Sequence, residues 1–516
     1  MKKASDYYSE LDGLRSTVID RAKEAAELTI PYVFREITES ENDALKTNVV
    51  QSFGAKLVNH LTGKFALSIL PPSHTFFRLS PTEEALQAIT DGDAEMKNEI
   101  EKILAIKEEG ILRYINNSKF RSALYRALKT SMVTGDALIE RVEVEKQKTY
   151  IVHNMNKYVI KRDYSGNILR LVIKETKNYK AMPEDLKKTG EKESPDVETQ
   201  DKDIYTHVWL EDGKYKMNQE IDGEIVPGTE RDLKGFNDAF ISLRWNKLDG
   251  EDYGRGFIED HIGTLRSLSK LLRVLNETSA IAAKVVYTVN PNGMTKLKDF
   301  HGAKHGGVIS GRNEDIGVIQ TNKGNDLQMT YSLINDYKKE LSEAFLMVGA
   351  SIRDSERTTK FEVQQITQEL DASFGGQYTG IAEDVQVPLI KNAMSELGIK
   401  LDKDIDVVIT AGVEALGRSI ELAKLNGMIQ ELMMLGQLVG QEQVAMTVNV
   451  ANITSSIVSN SGIASKGFLY SAKEMQQNQI AQKEDAMAQQ MMQGALPQAG
   501  QNMANQAAQP EGQMAW

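Results

Sequence analysis

Covalent chemistry needs a nucleophile, a base or a metal held at one place, and few residues of this 516-residue chain are spaced for that. Cysteine is absent, which removes thiol nucleophiles, thiolate zinc sites and disulfides together. Of the seven histidines only His301 and His305 lie close, in His-Gly-Ala-Lys-His, among glycines and without a carboxylate at helical spacing, so a metal pair is not supported. The acidic run Asp249, Glu251, Asp252 has the oxygen donors a divalent cation takes. Gly250 in its middle and the helical pattern behind it explain the same run as a turn with acidic side chains near a helix N-terminus. A phosphate cradle needs G-x-x-x-x-G-K-[ST], and the nearest fragment, Thr62-Gly63-Lys64-Phe65, lacks both the first glycine and the hydroxyl. No G-x-S-x-G elbow occurs. The reading is therefore a protein that is not an enzyme, with no cofactor and no metal. The remaining cluster, Arg353, Arg357 and Lys360 in the polar stretch 349–360, belongs to a loop that leads into Thr359-x-x-Glu362, a capping-box pattern opening a helix.

The bulk numbers narrow the class further. A hydrophobic content of 41% at this length is ample for a large core and suggests roughly two to four folded units. A formal net charge of -12 argues against a protein that coats nucleic acid, because such proteins gain affinity by releasing counterions from phosphates with basic side chains. It suits ordinary solubility, and equally an acidic wall past which DNA slides without sticking. The lack of cysteine makes a reducing cytoplasm the natural home, and the polar start Met1–Glu10 with no long apolar run predicts neither export nor a membrane span.

Stepping along the chain, residues 1–135 carry helical spacing: Val18, Ala22, Ala25, Leu28, then Leu57 and Leu61 up to Pro71-Pro72, then a run through Ile100 to Ile111, and Phe120 to Met132 before Gly135. From Ala137 the period becomes that of an antiparallel meander, with hairpin turns at Ser165-Gly166, Asp212-Gly213 and Asp222-Gly223, and a charged loop over 182–203. After a strand over 240–245 and the turn-rich run 248–256 comes a long helix, 257–284. Its Ile262, Leu265, Leu268, Leu272 and Leu275 recur every three or four positions, while Lys270 and Arg273 occupy other faces. Residues 285–327 form a small strand-and-turn module with strands at 285–289, 307–312 and 316–319, and a second helix, 328–348, returns from it. A helix through Phe361, Ile366, Leu370 and Phe374 should bend at Gly375-Gly376 or Pro388. A strand over 405–410 follows, then helices from 412, and from Met475 a Gln, Ala and Met composition that ends as a disordered tail.

The run Leu248-Asp249-Gly250-Glu251-Asp252-Tyr253-Gly254-Arg255-Gly256-Phe257-Ile258-Glu259-Asp260, with Leu265-Arg266-Ser267-Leu268 behind it, resembles the portal, or head-to-tail connector, family of short-tailed podoviruses. The resemblance continues in order through Ser310-Gly311-Arg312-Asn313-Glu314-Asp315-Ile316, Arg353 with Glu356-Arg357, Glu369-Leu370, Gly375-Gly376 and Pro388-Leu389. Thr29-Ile30-Pro31 and Tyr164-Ser165-Gly166-Asn167-Ile168 fit upstream, so about residues 20–425 are covered. Two positions depart from the family: Ser355 stands where glycine is frequent, and Asn313 where a proline is expected.

The resemblance implies an α+β, mainly α, phage portal fold. Residues 1–256 would be the wing, 257–284 and 328–348 the paired stem helices, 285–327 an inserted β clip and 349–360 the channel loop. A kinked helix and wing return would occupy 361–411, a helical crown 412–485, and a flexible tail 486–516. It further implies a homo-oligomeric, usually dodecameric, ring at one capsid vertex of the virion, assembled in the host cytoplasm, through which double-stranded DNA is packaged and ejected. Arg353, Arg357 and Lys360 would touch DNA; Lys270, Arg273, Lys338 and Lys339 would face the channel from the stem; the apolar stem residues named above would meet neighbouring subunits; and Arg312, Glu314 and Asp315 would mark the clip. The implied partners are the major capsid protein, scaffolding protein, terminase large subunit, tail adaptor and internal core proteins. Alternative readings are a capsid-interior or scaffolding interaction protein and, less well supported, a DNA-packaging enzyme, which would need the phosphate loop that is missing.

Overall fold

The computed structural model describes residues 2–34, 51–71, 76–81, 94–144, 147–178, 201–282, 286–302, 307–319, 324–347, 368–370, 372–399, 405–409, 427–431 and 434. The architecture mixes helices with antiparallel sheets. The chain divides into two units, one of Met1–Phe76, Ile111–Lys400 and Ile409–Leu416, the other of Phe77–Gly110, Leu401–Val408 and Gly417–Trp516.

In the first unit, helices Ala4–Gly13, Ser16–Leu28, Phe53–Ile69 and Phe120–Thr134 form where the apolar spacing puts them. Phe53–Ile69 ends ahead of Pro71, and Phe120–Thr134 ends on Gly135 at φ 95°, a left-handed cap that glycine adopts without a Cβ penalty. The strand Asp136–Val144 then lies between Gln147–His153 and Phe240–Arg244 in a three-stranded antiparallel sheet. A second sheet runs Tyr158–Arg162, Ile168–Asn178, Asp201–Glu211, Lys214–Ile221 and Glu224–Ile225, with Arg231–Leu233 also on Lys214–Ile221. The three expected hairpin turns fall between these strands, with Gly166, Gly213 and Gly223 all at positive φ. Asp212 and Asp222 share that conformation, which makes their Asp-Gly pairs the tight two-residue turns that match strand twist. The charged loop ends sooner than 203, because Asp201 already pairs with Asn178. The first helix lays Ala4 and Tyr8 on Val159 and Val172 of the second sheet, an apolar cluster that ties the N-terminal segment down.

Helix Gly376–Glu396 continues through Pro388, and regular structure is interrupted just before it at Gly375, with φ 48° and ψ -122°. In the second unit, strand Phe77–Pro81 pairs with Ile405–Ile409, and the Glu108 carboxylate accepts from the Leu79 N–H at 2.7 Å. The expected crown lies outside the described residues except for 427–431 and 434, and the tail lies outside them entirely.

Candidate functional site

The acidic run at 249–252 is a structural joint. Glu251 N–H donates to the Leu248 carbonyl across Gly250, which sits at φ 81°. Glu251 itself pairs with Arg255, and Asp252 accepts from Lys161 Nζ at 2.8 Å and from the Arg162 backbone N–H at 2.8 Å. The Glu251 and Asp252 carboxylates thus point at separate partners, one on the joint and one on the sheet. Tyr253 is buried, and its hydroxyl accepts from the Ile160 N–H at 3.0 Å. Close backbone approach accounts for the glycines. A Cβ on Gly254 would stand 2.4 Å from the Gly135 carbonyl oxygen, and one on Gly256 would stand 2.6 Å from that of Val133. Beneath the joint lies Asp136, which the sequence did not single out. Its fully buried carboxyl, pushed up by burial, accepts from the Tyr158 hydroxyl at 2.5 Å and from the Gly254 N–H at 3.4 Å.

From this joint springs helix Phe257–Ala282, about 39 Å long at 1.5 Å per residue. It pairs with helix Gly324–Ala344. Leu265 and Leu268 of the first and Ile334 and Leu341 of the second are buried, and Thr264 donates to Glu340 at 3.3 Å. The root of the pair is aromatic: Phe257 meets Phe345 at 4.8 Å and Phe374 at 5.2 Å between ring centroids. Arg266 pairs with Glu24 of helix Ser16–Leu28, so this end is anchored to the body of its unit.

Farther along, the apolar surface loses its cover. Val274, Ile281, Met329, Tyr331 and Leu333 are exposed on the two helices, Met329 by 70%. The module between the helices continues the trend with exposed Tyr287 and Met294 and with Val308 at 99%. Single exposed apolar residues are ordinary, and here they recur along one paired element.

The module is built on strands Val286–Val289 and Ile316–Ile319, antiparallel with Val286 opposite Ile319. Residues 307–312, expected as a strand, have no regular structure, and a short helix Leu297–Gly302 stands where none was foreseen. Asp315 organises the turn. Its carboxylate accepts from the Met294 N–H at 2.9 Å and from the Thr295 N–H and hydroxyl at 3.1 and 3.0 Å, while its carbonyl accepts from the Asn290 N–H at 2.8 Å. Desolvation pushes this carboxyl up, but the donors outweigh it and hold the pKa below the ordinary aspartate range. Gly311 and Gly293 are required here: a Cβ on Gly311 would meet the Thr295 hydroxyl, and one on Gly293 the Asp315 carboxylate, each well inside van der Waals distance.

The sequence-derived site residues fall as follows. Leu265 and Leu268 are fully covered by the chain itself, whereas Ile262, Leu272 and Leu275 are half-buried and retain surface. Lys270, Arg273 and Lys339 are exposed and Lys338 is half-buried. Asp315 is buried with Arg312 and Glu314 exposed beside it. Arg353, Arg357 and Lys360 lie outside the described residues, as does His305, and His301 is exposed. Sequence spacing missed Lys64, whose only signal is a charge amid Leu57, Leu61 and Phe65 on one helix.

A family described as "Bacteriophage head to tail connecting protein" matches residues 1–469. The portal protein of Escherichia phage T7 is 31% identical, with 98% of this chain and 95% of that protein aligned. The portal protein of Enterobacteria phage T3 is 30% identical over 91% of this chain and 88% of its own length. That of Pseudomonas phage phiKMV is 27% identical over 95% and 96%. Among solved structures, a chain from the virion of a native gene transfer agent particle overlaps at a TM-score of 0.37 and 11% identity, covering 73% of this chain and 85% of that one, too loosely to bear on the fold.

Proposed function

This chain belongs to the bacteriophage head to tail connecting protein family and has the role of a portal subunit, and from that premise we propose that it works as one segment of a closed ring whose axis is a passage for double-stranded DNA. The observation that carries the ring is the exposed apolar series along the paired helices and the inserted module, Val274, Ile281, Met329, Tyr331, Leu333 and Val308. Full burial of a side chain of this size contributes about 1.5–3 kcal/mol, so a handful per subunit suffices to drive association. A head-to-tail contact repeated around an axis closes into a ring and leaves no uncovered copy of the patch.

In this reading the paired helices are the stem, the module at 285–327 is the clip that meets tail adaptor and terminase, and 1–256 with 361–411 form the wing that seats in the capsid. Residues 412–485 form a crown facing scaffolding and internal core proteins. The acidic balance of -12 keeps DNA from adhering. Arg353, Arg357 and Lys360, with Lys270, Arg273, Lys338 and Lys339 along the stem, supply repeated, exchangeable phosphate contacts. The work is geometric, with no bond made or broken by this chain.

Val274→Asp and Met329→Asp test the association directly, because both positions are exposed in the single chain and tolerate a charge there. Sedimentation should show folded monomers with an unaltered circular dichroism spectrum. Rings of normal size from both variants would remove the stem surface from the interface.

A further inference from the structure

Helix Phe53–Ile69 presents one charged side chain to the interior, Lys64, which is only 2% exposed. Its Nζ donates to the Leu346 carbonyl at 2.8 Å and to Glu369 Oε2 at 2.6 Å. One turn earlier on the same face, His60 Nε2 lies 3.1 Å from the same carbonyl and must be the donor, since a carbonyl oxygen only accepts. Leu346 ends the second long helix in an uncommon way. At φ 52° it holds the left-handed position that glycine usually fills, with its N–H on the Glu343 carbonyl at 3.0 Å and the Met347 N–H on that of Ser342 at 2.7 Å. A leucine stays in that conformation only where its surroundings over-determine it, and here two side-chain donors grip its carbonyl. Glu369 belongs to the chain returning toward helix Gly376–Glu396. The last turns of helix Phe53–Ile69 hold that helix as well, through Ser68 Oγ and Tyr378 Oη at 2.6 Å and through Gln386 Nε2 on the Ile69 carbonyl at 2.6 Å.

We propose that Lys64 is a clasp: one buried ammonium fixes both chain ends that flank residues 348–367, the end of the second long helix at Leu346 and the returning chain at Glu369. Both partners are acceptors, and each takes a separate proton of the same Nζ, so neither hydrogen bond competes with the other. Loss of Lys64 leaves the Leu346 carbonyl to His60 alone and the Glu369 carboxylate without its cation. The clasp stands on the described geometry. Its consequence for DNA rests on the reading of Arg353, Arg357 and Lys360 as phosphate contacts.

Amide hydrogen exchange on assembled, full-length Lys64→Met, Lys64→Arg and Glu369→Gln proteins tests it. Lys64→Met should raise exchange at residues 345–347 and 368–370 by about ten-fold while strands 201–221 stay within about two-fold. Lys64→Arg, which can serve both acceptors, should restore protection, and Glu369→Gln should fall between. Unchanged exchange at 345–347 and 368–370, or a rise spread evenly over the chain that Arg does not reverse, would overturn the clasp. If Lys64→Met yields no soluble protein, Glu369→Gln decides in the same way, since it keeps the buried lysine and removes only the ion pair. Packaged DNA per particle, measured for the same variants, should fall with Lys64→Met and recover with Lys64→Arg. Opened clasps with normal DNA content would overturn the phosphate-contact reading and leave the clasp standing.

Discussion

Asp315 shows how much one side chain carries in the inserted module. Its folded pKa is depressed below the ordinary 3.8 by the Thr295 and Met294 donors, which outweigh desolvation. The folded module therefore binds fewer protons than the unfolded chain near that value. The stabilisation is present above it and is lost as pH falls through the lower folded pKa. Stepping the pH of the protein down from about 6 to well below the ordinary aspartate range before pulse-labelled exchange should expose residues 290–295 and 307–315 selectively at the acid end. In Asp315→Asn that acid step should vanish, because an amide does not titrate there, while its oxygen can still accept from the donors that converge on Oδ2. The same reasoning explains the run Ser310-Gly311-Arg312-Asn313-Glu314-Asp315. Glycine is needed where Thr295 comes close and the acid where backbone donors converge, so the motif is a folding device as well as a mark of kinship.

At the scale of elements, the long helices serve two masters. Leu268 is fully buried within the single chain, so Leu268→Ala should cost about 2–5 kcal/mol of stability, read as a lower denaturant midpoint, before any effect on assembly. Val274, one turn and a half farther along, is exposed, and its replacement by Asp should spare the fold. The helical spacing of Ile262, Leu265, Leu268, Leu272 and Leu275 was legible in the sequence, as were the Asp-Gly hairpins, because both signals are local. Which leucines the chain keeps for itself was not legible, since that depends on Ile334 and Leu341, more than sixty residues away. Residues 307–312 looked like a strand by composition, but Gly311 is committed to Thr295 and Val308 stands free, so no ladder forms. Pro388 looked like a breaker, yet the helix holds it inside a buried stretch and turns at Gly375 instead. Lys64 was invisible because its partners, Leu346 and Glu369, are brought to it only by the tertiary fold.

For the whole molecule, the apolar series on the stem and module and the net charge of -12 answer different needs. In the proposed ring the first would be covered by a neighbouring copy, and the second would keep the wall from gripping phosphate along its length. The most direct measurement is electron microscopy of the purified full-length protein, with particles classified for rotational symmetry. Closed rings of about twelve subunits around an open axis are the predicted result. Monomers or irregular aggregates, from protein whose circular dichroism shows it folded, would contradict the ring and with it the passage for DNA.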